Sequence, residues 1–442
     1  MRFKIQAVLK KCLFLLLLSA GSLCSNAQFL MDMVDTTTET GRGMLSIYKK
    51  YDHLKFSGYI QPQFQVADEE GTKTFEGGDF GARVSNRFML RRSRIRIDYV
   101  HFKGEEGPGV QFVFQFDINE RRTTVRDIWG RVFENKFKLF SFTTGMFARP
   151  FGYEVNLSSS DRESPERGRM SQTLVKSERD LGAMVSLDSR RTNKTSLLNY
   201  IKADIGVFNG QGINAEGEFD NTKDLIGRLS LKPIHLGKKI TLSASTSYLH
   251  GGLENNTKYT YRTRENAGIK MQVVDSSLDN IGKVSPRTYA GADMQLKFKN
   301  KKGFTEIRGE FIRGTQTGTA NNSETPSALV TGTDGFYARK FNGAYFYLLQ
   351  HIFNEQHQLL VKYDWYDPNT SVKGREVGAP GSNFSAADIK YSTLGVGYIY
   401  YITPNVKSVL YYAMAKNETT GLPGFTNDVK DNVFTARLQF RF

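Results

Sequence analysis

Leu54 to Val66 reads LKFSGYIQPQFQV. Phe56, Gly58, Ile60, Pro62, Phe64 and Val66 fall on one face of an extended chain, and Lys55, Ser57, Tyr59, Gln61, Gln63 and Gln65 on the other. Successive side chains of a strand point to opposite faces, so this alternation predicts a β-strand that is apolar outside and polar inside. Val110, Phe112, Phe114, Phe116 and Ile118 alternate in the same way with Gln111, Val113, Gln115, Asp117 and Asn119. Comparable segments recur at 87–100, 125–134, 138–148, 180–188, 197–208, 222–232, 239–250, 287–298, 303–313, 340–353, 357–367, 388–402, 405–416 and 430–442, which makes sixteen strands in all.

The connections differ by side. Short turns such as 134–136, 233–238, 300–302, 354–356 and 403–405 alternate with long polar loops at 67–86, 149–179, 209–221, 251–286, 314–339, 368–387 and 417–429. Short turns at one end and long loops at the other are the pattern of an outer-membrane barrel. A large secreted β-sandwich or repeat protein would not need such regular asymmetry. The last strand ends NDVKDNVFTARLQFRF, with Phe434, Ala436, Leu438, Phe440 and Phe442 on one face. This resembles the terminal signal that outer-membrane proteins present to the barrel assembly machinery, so Phe442 is expected to serve that partner. Closing against the first strand would remove an edge that otherwise invites aggregation.

The full chain has 442 residues, 39% hydrophobic and 12% aromatic, with 60 Lys and Arg against 45 Asp and Glu. Beyond the first thirty residues there is no apolar run of about 18, which excludes a bundle of membrane helices but not a barrel, whose hydropathy is diluted by alternation. Residues 1–27 read as a signal peptide: Lys4, Lys10 and Lys11, then the apolar Leu13 to Leu18, then Ser25-Asn26-Ala27 before the expected cleavage at Gln28. Leu23 disfavours lipid attachment at Cys24, where a small residue would be wanted before the cysteine. Cys12 and Cys24 lie inside the segment to be removed, so the mature chain offers no disulfide, thiolate metal site or cysteine nucleophile. Removing four basic residues lowers the formal charge from +15 to 15 − 4 = +11. Residues 28–53 are expected to form a periplasmic extension, where Met44, Ile47 and Tyr48 fall at the spacing of a short amphipathic helix; 54–442 is the barrel domain.

Charge on the polar faces carries the functional reading. In FMLRRSRIRIDY, starting at Phe88, Arg92, Arg94, Arg96 and Asp98 share one face and Ile95, Ile97 and Tyr99 the other. Arginines facing lipid would cost about 2–4 kcal/mol each at the midplane, so they are expected to line a wet lumen. A basic ladder there attracts anions, unless each guanidinium is paired with a carboxylate that holds the wall. The loop 149–179 adds Arg162 and Arg167 as candidate anion-binding groups, among Glu154, Asp161, Glu163, Glu166 and Glu178. A solvated extracellular loop of that composition is the plain alternative, but its length favours a functional role.

Other chemistry is weakly represented. His53, His101, His235, His250, His351 and His357 show no spacing to a serine that would suggest a barrel hydrolase. His351 and His357 are poorly spaced for one metal on a strand, no phosphate-cradling P-loop is present, and the basic residues form no patch with stacking aromatics for nucleic acid. No cofactor is expected.

From 54 to 190 the chain resembles the phosphate-selective porins O and P. The resemblance rests on Phe88 to Arg92 (FMLRR), on Asp127 in VRDIWGRV, on Gly145 to Arg167 (GMFARPFGYEVNLSSSDRESPER) and on Arg179-Asp180-Leu181-Gly182. It implies a homotrimer of sixteen-stranded barrels in the outer membrane, in contact with lipid and lipopolysaccharide, with the loop 149–179 folded into each channel as a constriction. It also implies that Arg91 and Arg92 form a central anion site, that Asp127 is a pore carboxylate, and that Ser158 and Ser159 donate to the anion. Tyr59 stands where phosphate-selective members place an arginine, and Val155 where they place a lysine. Fewer fixed donors imply weaker phosphate selection than the family pattern. The expected function is a passive, anion-preferring diffusion channel for phosphate or other small anions; the alternative is an adhesin or scaffold barrel with a plugged lumen.

Overall fold

The computed structural model describes residues 53–102, 107–191 and 196–442. The expected signal peptide, and the helix expected around Met44 to Tyr48, lie outside these residues. Eighteen strands form a single sheet. Those before the loop 251–286 are β1 (Leu54–Ala67), β2 (Asn86–Phe102), β3 (Pro108–Ile118), β4 (Thr123–Phe133), β5 (Phe140–Ala148), β6 (Arg179–Asp188), β7 (Ile201–Phe208), β8 (Asp224–Leu236) and β9 (Ile240–Glu254). Then come β10 (Thr260–Asn266), β11 (Ile269–Asp275), β12 (Val284–Asn300), β13 (Gly303–Thr319), β14 (Phe336–His351), β15 (His357–Asp367), β16 (Tyr391–Thr403), β17 (Val406–Asn417) and β18 (Val433–Arg441).

Each barrel strand pairs antiparallel with its neighbours. β9 pairs directly with β12 from Val284↔Glu254 to Phe298↔Ile240, which leaves β10 and β11 outside the wall. Eighteen strands less these two give sixteen. β18 returns to β1, with Tyr59 opposite Arg441 and Ala67 opposite Val433, and β1 also pairs with β2, so no edge is left. At the seam Phe442 and Gly58 exchange backbone hydrogen bonds of 3.1 and 3.0 Å. A side chain at Gly58 would strike the Phe442 ring and the Arg94 carbonyl, which explains the glycine.

The faces fall as alternation predicts. On β1, Gln61, Gln63 and Gln65 are buried while Phe56 and Ile60 are exposed. Exposed Phe112, Phe114, Leu229, Met294, Ile307, Phe311, Phe346 and Leu348 continue the apolar exterior around the wall. A closed barrel with this exterior satisfies its backbone internally and offers lipid a hydrocarbon face, as an outer-membrane barrel must.

All sixteen predicted strands are present, several of them longer than alternation suggested; β12 and β13 each have 17 residues. The β10–β11 hairpin inside the loop 251–286 lies outside the sixteen expected strands: TYRTREN has no apolar face, and the alternation of Ile269, Met271 and Val273 in IKMQVVD is short. Its turn, Ala267-Gly268, has φ of 50° and 80°, the paired positive values of a tight type I′ turn. Thr260 and Tyr261 then pair in parallel with Phe336 and Tyr337 at the top of β14.

Candidate functional site

Two breaks in alternation determine what faces the lumen. On β2, Phe88 and Ile95 are both exposed, although an unbroken alternation would put them on opposite faces. Arg91 and Arg92 both reach Glu166, so the alternation is broken between Phe88 and Ile95 and both arginines turn inward. Sequence alternation alone assigned them to opposite faces. On β4, Gln115↔Asp127 is followed by Phe116↔Val125, which leaves Arg126 as the extra residue, and Arg126 and Asp127 both reach inward partners. A bulge re-aims a side chain in this way without ending the strand.

The loop 149–178 enters the barrel and carries one short helix, α1 (Arg169–Leu174). Its polar groups meet eight consecutive strands. The Tyr153 and Glu154 N–H groups donate to Glu310 on β13 at 3.0 and 3.2 Å, and Tyr347 on β14 donates to Glu154 Oε1 at 2.8 Å. Lys362 on β15 lies 3.7 Å from Glu154, and Arg169 stacks 3.6 Å over the Tyr391 ring on β16. Lys407 on β17 donates to the carbonyls of Ser160 and Arg162 at 2.9 and 3.1 Å. Gln439 on β18 and Gln61 on β1 donate to the Ser160 and Ser159 carbonyls at 3.0 and 2.9 Å, and β2 supplies Arg91 and Arg92. Phe151, Val155, Met170, Leu174 and Val175 pack in one apolar cluster with Tyr289, Tyr345, Tyr347, Tyr366 and Tyr411 of the wall. Burying a side chain such as Phe151 contributes about 1.5–3 kcal/mol, so this half of the lumen is packed as a protein core.

Three guanidiniums converge on Glu166. Arg91 Nε and Nη2 donate at 2.8 and 3.1 Å, Arg92 Nη1 and Nη2 at 3.1 and 2.7 Å, and Arg437 Nη2 at 3.0 Å. Burial pushes the Glu166 carboxyl up, but the three arginines outweigh it and hold the group well below the usual carboxylate range. A second network begins at Arg94, which donates to Asp117 at 3.0 Å and to Ser159 Oγ at 3.0 Å; that hydroxyl lies 2.5 Å from Tyr59 Oη. It continues through Arg126 to Glu178 at 2.5 Å, and Glu178 also faces Arg167 at 3.3 Å and Arg179 at 3.7 Å. Arg179 closes it on Asp127 at 3.3 Å.

The sequence-predicted residues therefore divide. Arg91 and Arg92 share one loop carboxylate, Arg94 is joined to Ser159, and Arg167 bonds Glu178 and the Ser171 and Val175 carbonyls. Ser158 is exposed and its hydroxyl lies 2.9 Å from Ser160 Oγ. Arg162 is buried with its Nε unpartnered. Arg96 and Asp127 instead line a cavity of about 360 Å³ between Pro150 and Asn156 of the loop and the wall from β2 to β8.

That cavity also holds Arg131, Lys202, Asp204 and Arg228, which the sequence reading did not single out, and Arg179, which it named only within a resemblance motif. The signal was present, since Asp127, Trp129 and Arg131 on β4, and Lys202 and Asp204 on β7, share inward faces opposite Ile128, Val132, Ile201 and Ile205. Five cations and two carboxylates line it. Lys202 pairs with Asp204 at 2.9 Å, Arg228 with Asp293 at 3.1 Å and Arg96 with Asp98 at 2.7 Å. Arg131 donates to the Thr143 hydroxyl at 2.8 Å, lies 4.9 Å over the Trp129 ring and has no carboxylate within ion-pair distance among the described residues. No group of metal-ligating side chains occurs among the described residues.

No protein family model matches the chain, and no curated protein does. Among solved structures it is similar to the outer membrane channel DcaP of Acinetobacter baumannii at 13% identity, covering 88% of this chain and 97% of that one with a TM-score of 0.50. It is also similar to Salmonella typhi OmpF in complex with daunomycin, at 10% identity, with 88% and 97% covered and a TM-score of 0.51. At such identities the likeness is one of fold, the porin-type outer-membrane barrel.

Proposed function

We propose that the protein is a passive diffusion channel of the outer membrane that prefers small anions, with its path through the cavity between the loop 149–178 and the wall from β2 to β8. The carrying observation is the cavity lining, where Arg96, Arg131, Arg179, Lys202 and Arg228 face Asp127 and Asp204. A fixed excess of guanidinium and ammonium groups replaces part of an anion's hydration, and partial neutralisation by nearby carboxylates keeps the site weak enough to release it. On this reading Arg91, Arg92 and Arg94 act chiefly by fastening the constriction, while Arg131 is the cation most available to a passing ion. The trimer and the handling of Phe442 by the assembly machinery belong to the same proposal.

The family resemblance raises phosphate as the solute. A phosphate dianion loses more hydration than chloride and needs several fixed donors in return. Tyr59 is hydrogen-bonded to Ser159, Val155 is buried in the apolar cluster, and Glu166 occupies the donors of Arg91 and Arg92. We therefore propose anion preference without a high-affinity phosphate site. Reversal potentials in asymmetric potassium chloride across planar bilayers test the first part, and phosphate block of the chloride current tests the second. Cation selectivity would overturn the anion reading, submicromolar block would overturn the weak-phosphate reading, and absence of conductance would favour a plugged scaffold.

A further inference from the structure

On the outer surface of the wall, a cleft of about 510 Å³ lies across β12, β13 and β14 and is bordered by Thr370 of the following loop. Register places Ala290, Arg313 and Asn342 in one row across the three strands, and Thr288, Thr315 and Lys340 in the next row above it. Arg313 and Lys340 are exposed and point away from the lumen, since their neighbours Ile312, Arg339 and Phe341 are buried on the inner face. Below them the same outer face is apolar, with Ile307 and Phe311 on β13 and Phe346 and Leu348 on β14.

Arg313 lies ten residues up β13 from Gly303, which at about 3.3 Å per residue and a tilt of about 40° is roughly 25 Å, the height of a barrel's apolar band. The long loops mark this end as extracellular, so the two cations stand where outer-leaflet headgroups begin. Neither forms an ion pair with a described residue. The carboxylate closest in register, Asp367 beside Asn342, accepts from the Asn369 backbone N–H at 3.1 Å instead. Asn342 Oδ1 accepts from the Trp365 indole at 3.1 Å, which leaves its amide N–H groups to donate outward. Gly314, between Arg313 and Thr315, also borders the cleft.

We propose that this cleft binds the phosphorylated sugar headgroup of an outer-leaflet glycolipid of the lipid A type. Arg313 and Lys340 are diagonal neighbours able to share one phosphate. The hydroxyls of Thr288, Thr315 and Thr370 and the amide of Asn342 suit sugar oxygens, and acyl chains would descend along Phe311 and Ala290. Two cations with no ion pair among the described residues, rising from a hydrocarbon face, fit an anionic lipid better than a second copy of the chain, which would bring the same two cations and, in Asp367, a carboxylate that already accepts from Asn369.

The test uses the purified full-length barrel, delipidated in detergent and titrated with diphosphoryl lipid A under native mass spectrometry. Arg313→Gln with Lys340→Gln should lower lipid A occupancy about tenfold or more while leaving single-channel conductance unchanged, and Arg313→Lys with Lys340→Arg should retain it. Dephosphorylated lipid A should bind the native protein as weakly as lipid A binds the glutamine variant. Equal retention by the glutamine variant, or equal binding of the dephosphorylated lipid, would overturn the site. Displacement by millimolar inorganic phosphate would show a site for the free anion instead, and a change in oligomeric mass of the lipid-free glutamine variant would show an interface between copies; either result overturns the lipid assignment.

Discussion

From β13 round to β2, inward arginines and lysines meet carboxylates and carbonyls carried by the loop 149–178; from β3 to β8 the loop is met at fewer points, by Arg126 and Arg179 at Glu178 and by Arg228 at the Gly152 carbonyl, while Arg131 and Lys202 meet partners on their own wall and border a cavity. The Arg92 side chain is 10% exposed beside Glu166, whereas the Lys202 side chain is 40% exposed beside Asp204. A guanidinium in a barrel can thus fasten or conduct, and its strand does not decide which. The decision rests on whether a carboxylate from elsewhere in the chain is delivered to it. Because desolvation offsets much of a buried pair's attraction, the pairs on the filled side are better read as fixing the path of the loop than as net stability.

The sharpest way to break the contrast is to empty the filled side. Deleting Ser158 to Arg169 removes Glu163, Glu166 and the carbonyls that anchor Lys407 and Gln439, and exposes Arg91, Arg92 and Arg437 to the lumen. Single-channel conductance should rise roughly twofold or more, with looser size discrimination. An unaltered conductance in a correctly assembled barrel would mean that the loop does not constrict the path.

Next in size is Glu166→Gln. The buried Arg92 and Arg437 and the partly exposed Arg91 lose their shared anion, and breaking such a cluster costs on the order of 3–5 kcal/mol. Heat-induced loss of the compact electrophoretic form should move to markedly lower temperature. Asp204→Asn on the open wall, beside a well-exposed lysine, should cost no more than about 1 kcal/mol, and equal costs would erase the distinction between the two sides.

Selectivity should respond in the opposite order. Arg131→Gln with Lys202→Gln should lower the chloride-to-potassium permeability ratio by about two- to threefold, as read from reversal potentials. Arg92→Gln with Arg94→Gln should shift it less, because both arginines are already neutralised by Glu166 and Asp117. If the second pair dominates, the conducting path runs along β2 rather than across β4 to β8.

The smallest effect is one of pH. Glu76, in the loop 68–85, is pushed up to about 7 by burial; Lys362 and Arg437 pull it down, while Glu166 and Asp364 add to the rise. A carboxyl raised in the folded state supports the docked loop fully below its unfolded value, and that support is lost as pH rises through about 7. Protease cleavage within 68–85 should therefore be slower at pH 5 than at pH 8. Glu76→Gln should flatten the difference, and an unchanged difference in that variant would assign it to other groups.

Much of this was legible beforehand. Phe56, Ile60, Gln61 and Gln63 assign β1 its two faces without reference to any other strand, and the same holds for Phe112, Phe114 and Gln115 on β3. The cavity lining was legible in part, because Arg131 and Lys202 stand on polar faces that alternation identifies, but so do the residues of the filled side, and nothing local ranks them. Arg91 was misplaced by alternation because what holds it inward is Glu166 of a distant loop, not a feature of the letters FMLRR. The β10–β11 hairpin was hidden because TYRTREN has no apolar face and the alternation of Ile269, Met271 and Val273 in its partner spans only three apolar residues.

The period-two pattern, the count of sixteen wall strands, the asymmetry between short turns and long loops, and the placement of arginines away from lipid were determined by the sequence itself. Each follows from local sterics and from the cost of exposing a charge to hydrocarbon. Only the tertiary structure decided that Glu166 meets Arg91, Arg92 and Arg437, that Val155 joins an apolar cluster, and that Arg131 is left facing a cavity. Those pairings depend on the route of a thirty-residue loop through the barrel, which is set by many weak contacts with eight strands distant in sequence, and such a sum is written in no single segment of the chain.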